Sequence, residues 1–216
     1  MESCCYADDY GGVFGRRTAE RDADGYLRRG LSGTAAVLAT ALRDAGIDDA
    51  TILEVGGGVG GLHVDLLRAG AGTAVNVDLS PEWEQPARRV LDELDLAERV
   101  DRRVGDVVAV GAELASADVV VAHRVVCCYP AWHELLTAIA DRAARLVGLT
   151  VPRDTWWTRS GVAIGNAMFG LGSTRFRAFV HPVAELRDEL DRRGFGLRFE
   201  DHGLVWQTMV LERTAA

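Results

Sequence analysis

Between Thr51 and Asp78 the chain reads TILEVGGGVGGLHVDLLRAGAGTAVNVD. Ile52, Leu53 and Val55 form an apolar run that reads as a buried strand. It carries an acid, Glu54, and ends in the glycine loop Gly56-Gly57-Gly58-Val59-Gly60-Gly61. Leu62, Leu66 and Leu67 then recur at helical spacing. A second apolar run, Ala74, Val75 and Val77, stops at Asp78. Strand, glycine turn, helix, strand and acid in this order are the half-site of a nucleotide-binding α/β fold. Glycines let the backbone turn sharply and approach a ligand closely. The helix start offers free N–H groups to it. Asp78, at the strand tip, can accept hydrogen bonds from both hydroxyls of a ribose.

Two ligand classes use this arrangement. Gly56, Gly58 and Gly61 satisfy G-x-G-x-x-G, the dinucleotide pattern. Gly56, Gly58 and Gly60 satisfy G-x-G-x-G, the pattern of S-adenosylmethionine (SAM) sites. Glu54 favours SAM, because a carboxylate at the loop suits an ammonium and a sulfonium and sits awkwardly beside a pyrophosphate.

The 216 residues suffice for one α/β domain with a full core. A net charge of −8 argues against a nucleic-acid substrate, since affinity for phosphate backbones needs clustered cations. No apolar run approaches the roughly 18 residues of a membrane span. The acidic, polar start MESCCYADDYGG does not read as an export signal. A cytoplasmic setting with reduced thiols is the expectation. The four cysteines form two adjacent pairs, Cys4-Cys5 and Cys127-Cys128, without zinc-site spacing. No metal is therefore expected, although a joint site made from both pairs stays open.

Periodicity gives strands at 51–55, 73–78, 100–105, 118–123 and 145–151, and helices at 60–69, 82–94 and 132–144. Strands alternating with helices imply a doubly wound, Rossmann-like, mostly parallel sheet. Before them lie a charged, helix-compatible stretch at 16–29 and a helix that Ser32 can cap, ended by Gly46. The last part breaks the rhythm. After a helix at 183–193, the runs 195–200 and 204–211 are joined by only Asp201-His202-Gly203. So short a link makes an antiparallel hairpin. Seven strands with the last antiparallel suit SAM better than a dinucleotide. The expected organisation is one domain over 1–216. It comprises an N-terminal helical arm (1–46), a SAM-binding core (47–151), an acceptor-site insertion or lid after the fifth strand (152–182), and a terminal helix and hairpin (183–216).

The glycine loop, Asp78 and the hairpin together resemble class I SAM-dependent methyltransferases over residues 30–213. Cys127-Cys128-Tyr129-Pro130 is similar to the apolar-His-Tyr-Pro segment of the magnesium-protoporphyrin O-methyltransferases. Ser173-Thr174-Arg175 and Arg177-Ala178-Phe179-Val180-His181 resemble that branch's Ser-Lys-x-Thr-Arg-Ala-Tyr-x-His stretch. Two departures stand out. Cys128 replaces the histidine before Tyr-Pro, and His123 replaces the acid that usually ends the fourth strand.

The resemblance implies site roles. Glu54, Gly56, Gly58, Gly60 and Asp78 would hold SAM. Leu79 would pack on the adenine, and Asp106 and the Val107 N–H would bind its edge; the alternative for Asp106 is a helix cap. His123, at the end of the fourth strand, would touch the cofactor and act as a base, its ordinary pKa of about 6.5 suiting proton transfer near neutrality. Its alternative is a strand-end hydrogen bond. Arg124 would bind an anion or pair with an acid. Cys128 and Tyr129 lie on the catalytic loop, with Tyr129 lining the acceptor pocket. Arg175, Arg177 and His181 form a basic cluster for an anionic acceptor, or pair with Asp188 and Glu185. Trp156, Trp157, Met168, Phe169 and Phe176 make an aromatic insertion that reads equally as lid, core or dimer contact. Tyr26 and Gly30 would close over the methionine end.

The function expected is transfer of a methyl group from SAM to a small-molecule acceptor, an anionic or aromatic metabolite, by O-methylation or at N or S. A homodimer stays open. The rivals are an NAD(P)-dependent oxidoreductase and a non-catalytic SAM- or metal-binding protein.

Overall fold

The computed structural model describes residues 13–171 and 176–214. The first helices are α1 (Arg16–Arg29) and α2 (Gly33–Asp44). The alternating unit follows as β1 (Thr51–Val55), α3 (Gly61–Arg68), β2 (Thr73–Asp78), α4 (Glu84–Glu93), β3 (Val100–Val104), the single turn α5 (Val107–Val110), β4 (Ala117–His123), α6 (Trp132–Arg142) and β5 (Ala143–Pro152). Then come α7 (Trp156–Gly170), α8 (Val183–Arg192), β6 (Phe195–His202) and β7 (Trp206–Arg213). One sheet takes all seven strands in the order β3-β2-β1-β4-β5-β7-β6. Strands β1 to β5 pair parallel, and β7 runs antiparallel between β5 and β6.

Side-chain alternation along the strands supplies a core on each face. Leu53, Val55, Val120, Ala122, Val147, Leu149 and Met209 point to one side, where α6 brings Leu135, Leu136 and Ile139 and α8 brings Leu186 and Leu190. Ile52, Val119, Val121, Leu146 and Val210 point to the other, where Leu38 and Leu42 of α2, Leu66 and Leu67 of α3 and Val90 of α4 cover them. Burying each of these large side chains contributes roughly 1.5–3 kcal/mol before entropy is counted.

The sequence-based boundaries shift at several places. Strand β6 runs on to His202, so the hairpin link is 203–205 and not 201–203. Its register, with His202 opposite Gln207, is antiparallel as expected. Ser32 precedes α2, but its side chain makes no capping bond. The larger difference lies at 156–170, where the glycine-rich insertion forms the helix α7. Gly161 and Gly165 face open space there, so little tertiary packing resists or assists them. The helix starts on a side-chain cap from Thr155 to the Thr158 N–H. Of its residues only Thr158 is buried, and Trp156, Ile164 and Met168 are 75%, 63% and 67% exposed. Helix α7 is therefore not core, whereas Phe176 beyond it is buried, edge-on to Phe14 and Phe169.

Candidate functional site

A cavity of about 390 Å3 opens at the carboxyl ends of β1 to β4, where ligands bind in open α/β sheets. One wall is the glycine loop, with Gly56, Gly57, Gly58 and Val59. The acids Asp78 and Asp106, with Leu79 and Val107, form the side toward β2 and β3. His123, Arg124, Val125, Cys128 and Tyr129 form the side after β4. Helix α1 roofs it with Thr18 and Asp22, preceded by Phe14. Thr18 and Asp22 stand four residues apart and so share one face of the helix. Sequence reasoning did not assign Phe14, Thr18, Asp22, Ser80 or Trp83 to the site, although all line it. The four-residue spacing was the available signal for Thr18 and Asp22.

Asp78 is 8% exposed. Its Oδ2 accepts the Gly58 N–H at 2.9 Å and its Oδ1 accepts the Ser80 N–H at 3.0 Å. Burial raises its pKa above the usual carboxylate range, opposed by these two bonds and by Arg102. Each oxygen keeps a second lone-pair direction, so the carboxylate is aimed by the backbone and can still accept from a ligand. Gly58 sits at φ +57°, and a Cβ there would stand 3.2 Å from the Trp83 ring. The loop thus needs glycine here for its left-handed turn and to clear Trp83.

Two loop assignments need correction. Glu54 does not line the cavity. It is buried beneath the loop, where its Oε2 accepts the His63 N–H at 3.1 Å and faces His63 Nδ1 at 2.6 Å. Gly60 also lies outside the cavity lining; at φ +82°, a Cβ on it would come 2.1 Å from the His63 ring. Both residues serve the buried Glu54–His63 pair, which the sequence did not reveal because nine residues separate the partners. Asp22 is the carboxylate that faces the cavity from above. Partial burial raises its pKa, with Arg21 opposing the shift.

Asp106 caps α5 by accepting the Val108 N–H at 3.0 Å, and it also lines the cavity. The Tyr129 hydroxyl donates to Asp106, 2.9 Å from Oδ2 and 3.1 Å from Oδ1. Tyr129 is 7% exposed and lines the cavity as expected, while this bond ties the loop after β4 to the loop after β3.

His123 meets the Thr34 hydroxyl of α2, with Nε2 and Oγ1 3.0 Å apart, and Arg124 Nη2 donates to that same oxygen at 3.0 Å. Burial and the Arg124 charge lower the His123 pKa to about 4, so the ring is neutral at physiological pH. Cys127 and Cys128 lie with their sulfurs 3.7 Å apart. Only Cys128 of the two lines the cavity. Its neighbour's thiol pKa is lowered, chiefly by the bond to Cys128. Among the described residues no group of three or more His, Cys, Asp or Glu could hold a metal ion; Cys4 and Cys5 lie outside them.

Of the expected basic cluster, neither described member lines the cavity. His181 Nε2 lies 3.1 Å from both the Val126 and Tyr129 carbonyl oxygens, so its N–H clamps the loop after β4. Burial lowers its pKa, which keeps it neutral. Arg177 donates to the Phe176 carbonyl at 2.7 Å and does not line the cavity. Arg175 lies outside the described residues. Tyr26 is buried against Gly61 at the start of α3, also outside the cavity.

Residues 52–147 match the model of a methyltransferase domain. No curated protein matches the chain in sequence. Among solved structures, magnesium protoporphyrin IX methyltransferase from Synechocystis PCC 6803 with bound S-adenosylhomocysteine (SAH) is similar, with a TM-score of 0.67 and 19% identity over 96% of this chain and 94% of that one. An O-methyltransferase family protein from Burkholderia thailandensis has a TM-score of 0.71 and 18% identity over 92% and 60% of the two chains. A sarcosine dimethylglycine methyltransferase, so described for Galdieria sulphuraria, has a TM-score of 0.67 and 14% identity, with 84% of each chain covered. The matched domain, the strand order with β7 antiparallel and the cavity at the strand ends agree. Residues 52–147 thus resemble a methyltransferase domain, and the fold around them is that of the class I methyltransferases, which use SAM.

Proposed function

We propose that this protein transfers a methyl group from SAM to a small-molecule acceptor, an anionic or aromatic metabolite methylated at oxygen. The observation that carries this reading is the polarity of the one cavity wall after the other. Buried acids aimed by backbone N–H groups stand at the β2 and β3 ends, and a neutral histidine beside a cation stands at the β4 end. The volume of about 390 Å3 falls in the range of small-molecule sites, near the low end of roughly 300–1,000 Å3. The Synechocystis neighbour is a magnesium protoporphyrin IX methyltransferase, which supports a small-molecule acceptor.

SAM supplies an electrophilic methyl group when bound. The chain's own residues do the rest. Asp78 receives the ribose hydroxyls, Leu79 packs on the adenine, and Asp106 and the Val107 N–H take its edge. Asp22 replaces Glu54 as the carboxylate facing the cofactor's positive end. Tyr129 holds Asp106 in place and is a positioning residue. His123 takes the proton from an acceptor hydroxyl. Its Nε2 is engaged with Thr34, and its Nδ1 has no protein partner among the described residues. Apolar walls from Val55, Val125 and Leu135 exclude water from the acceptor oxygen. Most of the rate comes from holding that oxygen in line, about 3 Å from the methyl carbon. The chain is read as one domain, in which the insertion after β5 serves the acceptor side from outside the cavity lining.

The test is methyl transfer from isotopically labelled SAM to a panel of phenols and aromatic acids, beside protein and RNA. Label in a small acid or phenol, reduced about 100-fold or more in His123→Ala, is the outcome expected for a general base. Label found only in protein or RNA would overturn the small-molecule reading.

A further inference from the structure

We infer that Arg124 is the residue that receives an anionic group of the acceptor, and that the acceptor is a flat carboxylic acid lying along an aromatic shelf at the cavity mouth. The inference rests on the methyl-transfer reading and deepens it. It also moves anion recognition from the 175–181 segment to the end of β4.

Three observations carry it. Arg124 is one of three non-glycine residues in the left-handed region, at φ +60°, among the described residues; the others are Asp49 and Asp95. Aspartate tolerates that conformation through local hydrogen bonds, and arginine has no such help. Its strained backbone is held by the Arg124 N–H donating to the Thr150 carbonyl at 3.0 Å. Such strain at a strand end points toward function.

The second observation is the missing counter-charge. Arg124 is the one arginine among the cavity-lining residues, and its guanidinium pairs with no carboxylate among the described residues. Thr34 takes one of its five N–H donors, leaving most of the fork available. Partial burial lowers its pKa, so the cation lacks part of its hydration.

The third observation is the surface on which it rests. The guanidinium lies over the Trp206 ring, 4.4 Å from the centroid. Trp206 opens β7 opposite Pro152, directly after Leu204 and Val205, which are 77% and 40% exposed. Trp157, also 40% exposed, donates its Nε1–H to the Leu204 carbonyl at 3.1 Å and joins α7 to this turn. A cation set on an exposed aromatic and aliphatic surface, beside His123, matches a flat body with a carboxylate at its edge.

Hydroxynaphthoate and its neutral amide, hydroxynaphthamide, are the probes, titrated by calorimetry into SAH-saturated protein. The wild type should bind the carboxylate about tenfold more tightly than the amide, the scale of one charge-assisted hydrogen bond. Arg124→Gln should bring the two within about twofold, with SAH affinity unchanged. Arg124→Gly, which fits φ +60° without strain, guards against a folding defect and should do the same. Trp206→Ala should weaken both probes alike. Equal binding of the two probes by the wild type, no binding of either, or a preference kept in both Arg124 variants would overturn the inference. So would an Arg124 variant that loses SAH but keeps methylthioadenosine, because the cation would then serve the cofactor's own carboxylate. Failure of the wild type to bind SAH at all would instead bring down the methyl-transfer reading beneath it.

Discussion

Two backbone bonds, from the Gly58 and Ser80 N–H groups, aim the Asp78 carboxylate into the cavity. Replacing Asp78 by alanine removes the proposed ribose acceptor and leaves the Gly58 and Ser80 N–H groups without their partner. SAM binding should weaken by about 1.5–3 kcal/mol, as for charge-assisted hydrogen bonds; unchanged calorimetric affinity would remove Asp78 from the site. Asp22 offers a sharper comparison. Asp22→Asn removes charge without shape, so it should weaken SAM several-fold while leaving methylthioadenosine, which lacks the ammonium and sulfonium, nearly unaffected. Equal losses for both ligands would place Asp22 at the nucleoside instead. Cys128 lines the cavity beside Cys127 without a metal cluster among the described residues. Cys128→Ser should therefore cost only a few-fold in kcat, and a collapse of activity would assign the thiol a chemical part.

At the level of elements, the strands and the helices between them followed from apolar periodicity, because a fully buried parallel strand has little freedom in composition. Element ends were less legible, since β6 continues through polar Glu200, Asp201 and His202 by pairing with β7. Helix α7 was hidden by its glycines, which weaken helix propensity by about 1 kcal/mol each. The glycine loop was recognised, but the reasons for its glycines differ along it. Gly58 answers to Trp83, and Gly60 to the ring of His63. The segment 177–181 taught the same lesson in reverse. Its resemblance to an acceptor-binding stretch was real in sequence, yet His181 spends its N–H on two loop carbonyls. A consequence follows for Gly60→Ala. The added methyl must displace the His63 ring or the loop, breaking the 2.6 Å contact with Glu54. Thermal stability of the unliganded protein should fall along with SAH affinity. A normal melting temperature with lost SAH binding would mean instead that Gly60 faces the ligand after all.

For the whole molecule, acidity and the site pull stability in opposite directions as pH falls. The net charge of −8 diminishes on acidification, which relieves self-repulsion and favours the folded state. His123 works against this. Its pKa is about 4 in the folded protein, against an ordinary value of 6.5. Between those values the unfolded chain binds a proton at this position and the folded chain does not. Stability therefore rises with pH across that window, and the contribution is lost as pH falls from about 6.5 toward about 4. The difference between wild type and His123→Asn isolates the residue from the background of charge. The variant should show a flatter fall in melting temperature across this window, because asparagine does not titrate. On the proposed base role of His123, the same shift governs the reaction. A base that stays neutral down to about pH 4 keeps its lone pair through the mildly acidic range, so the acid limb of kcat/KM should lie well below 6.5. A limb near 6.5, with parallel stability curves for wild type and variant, would show that His123 is solvated and ordinary. Burial and the cation beside it would then have no part in holding the base neutral.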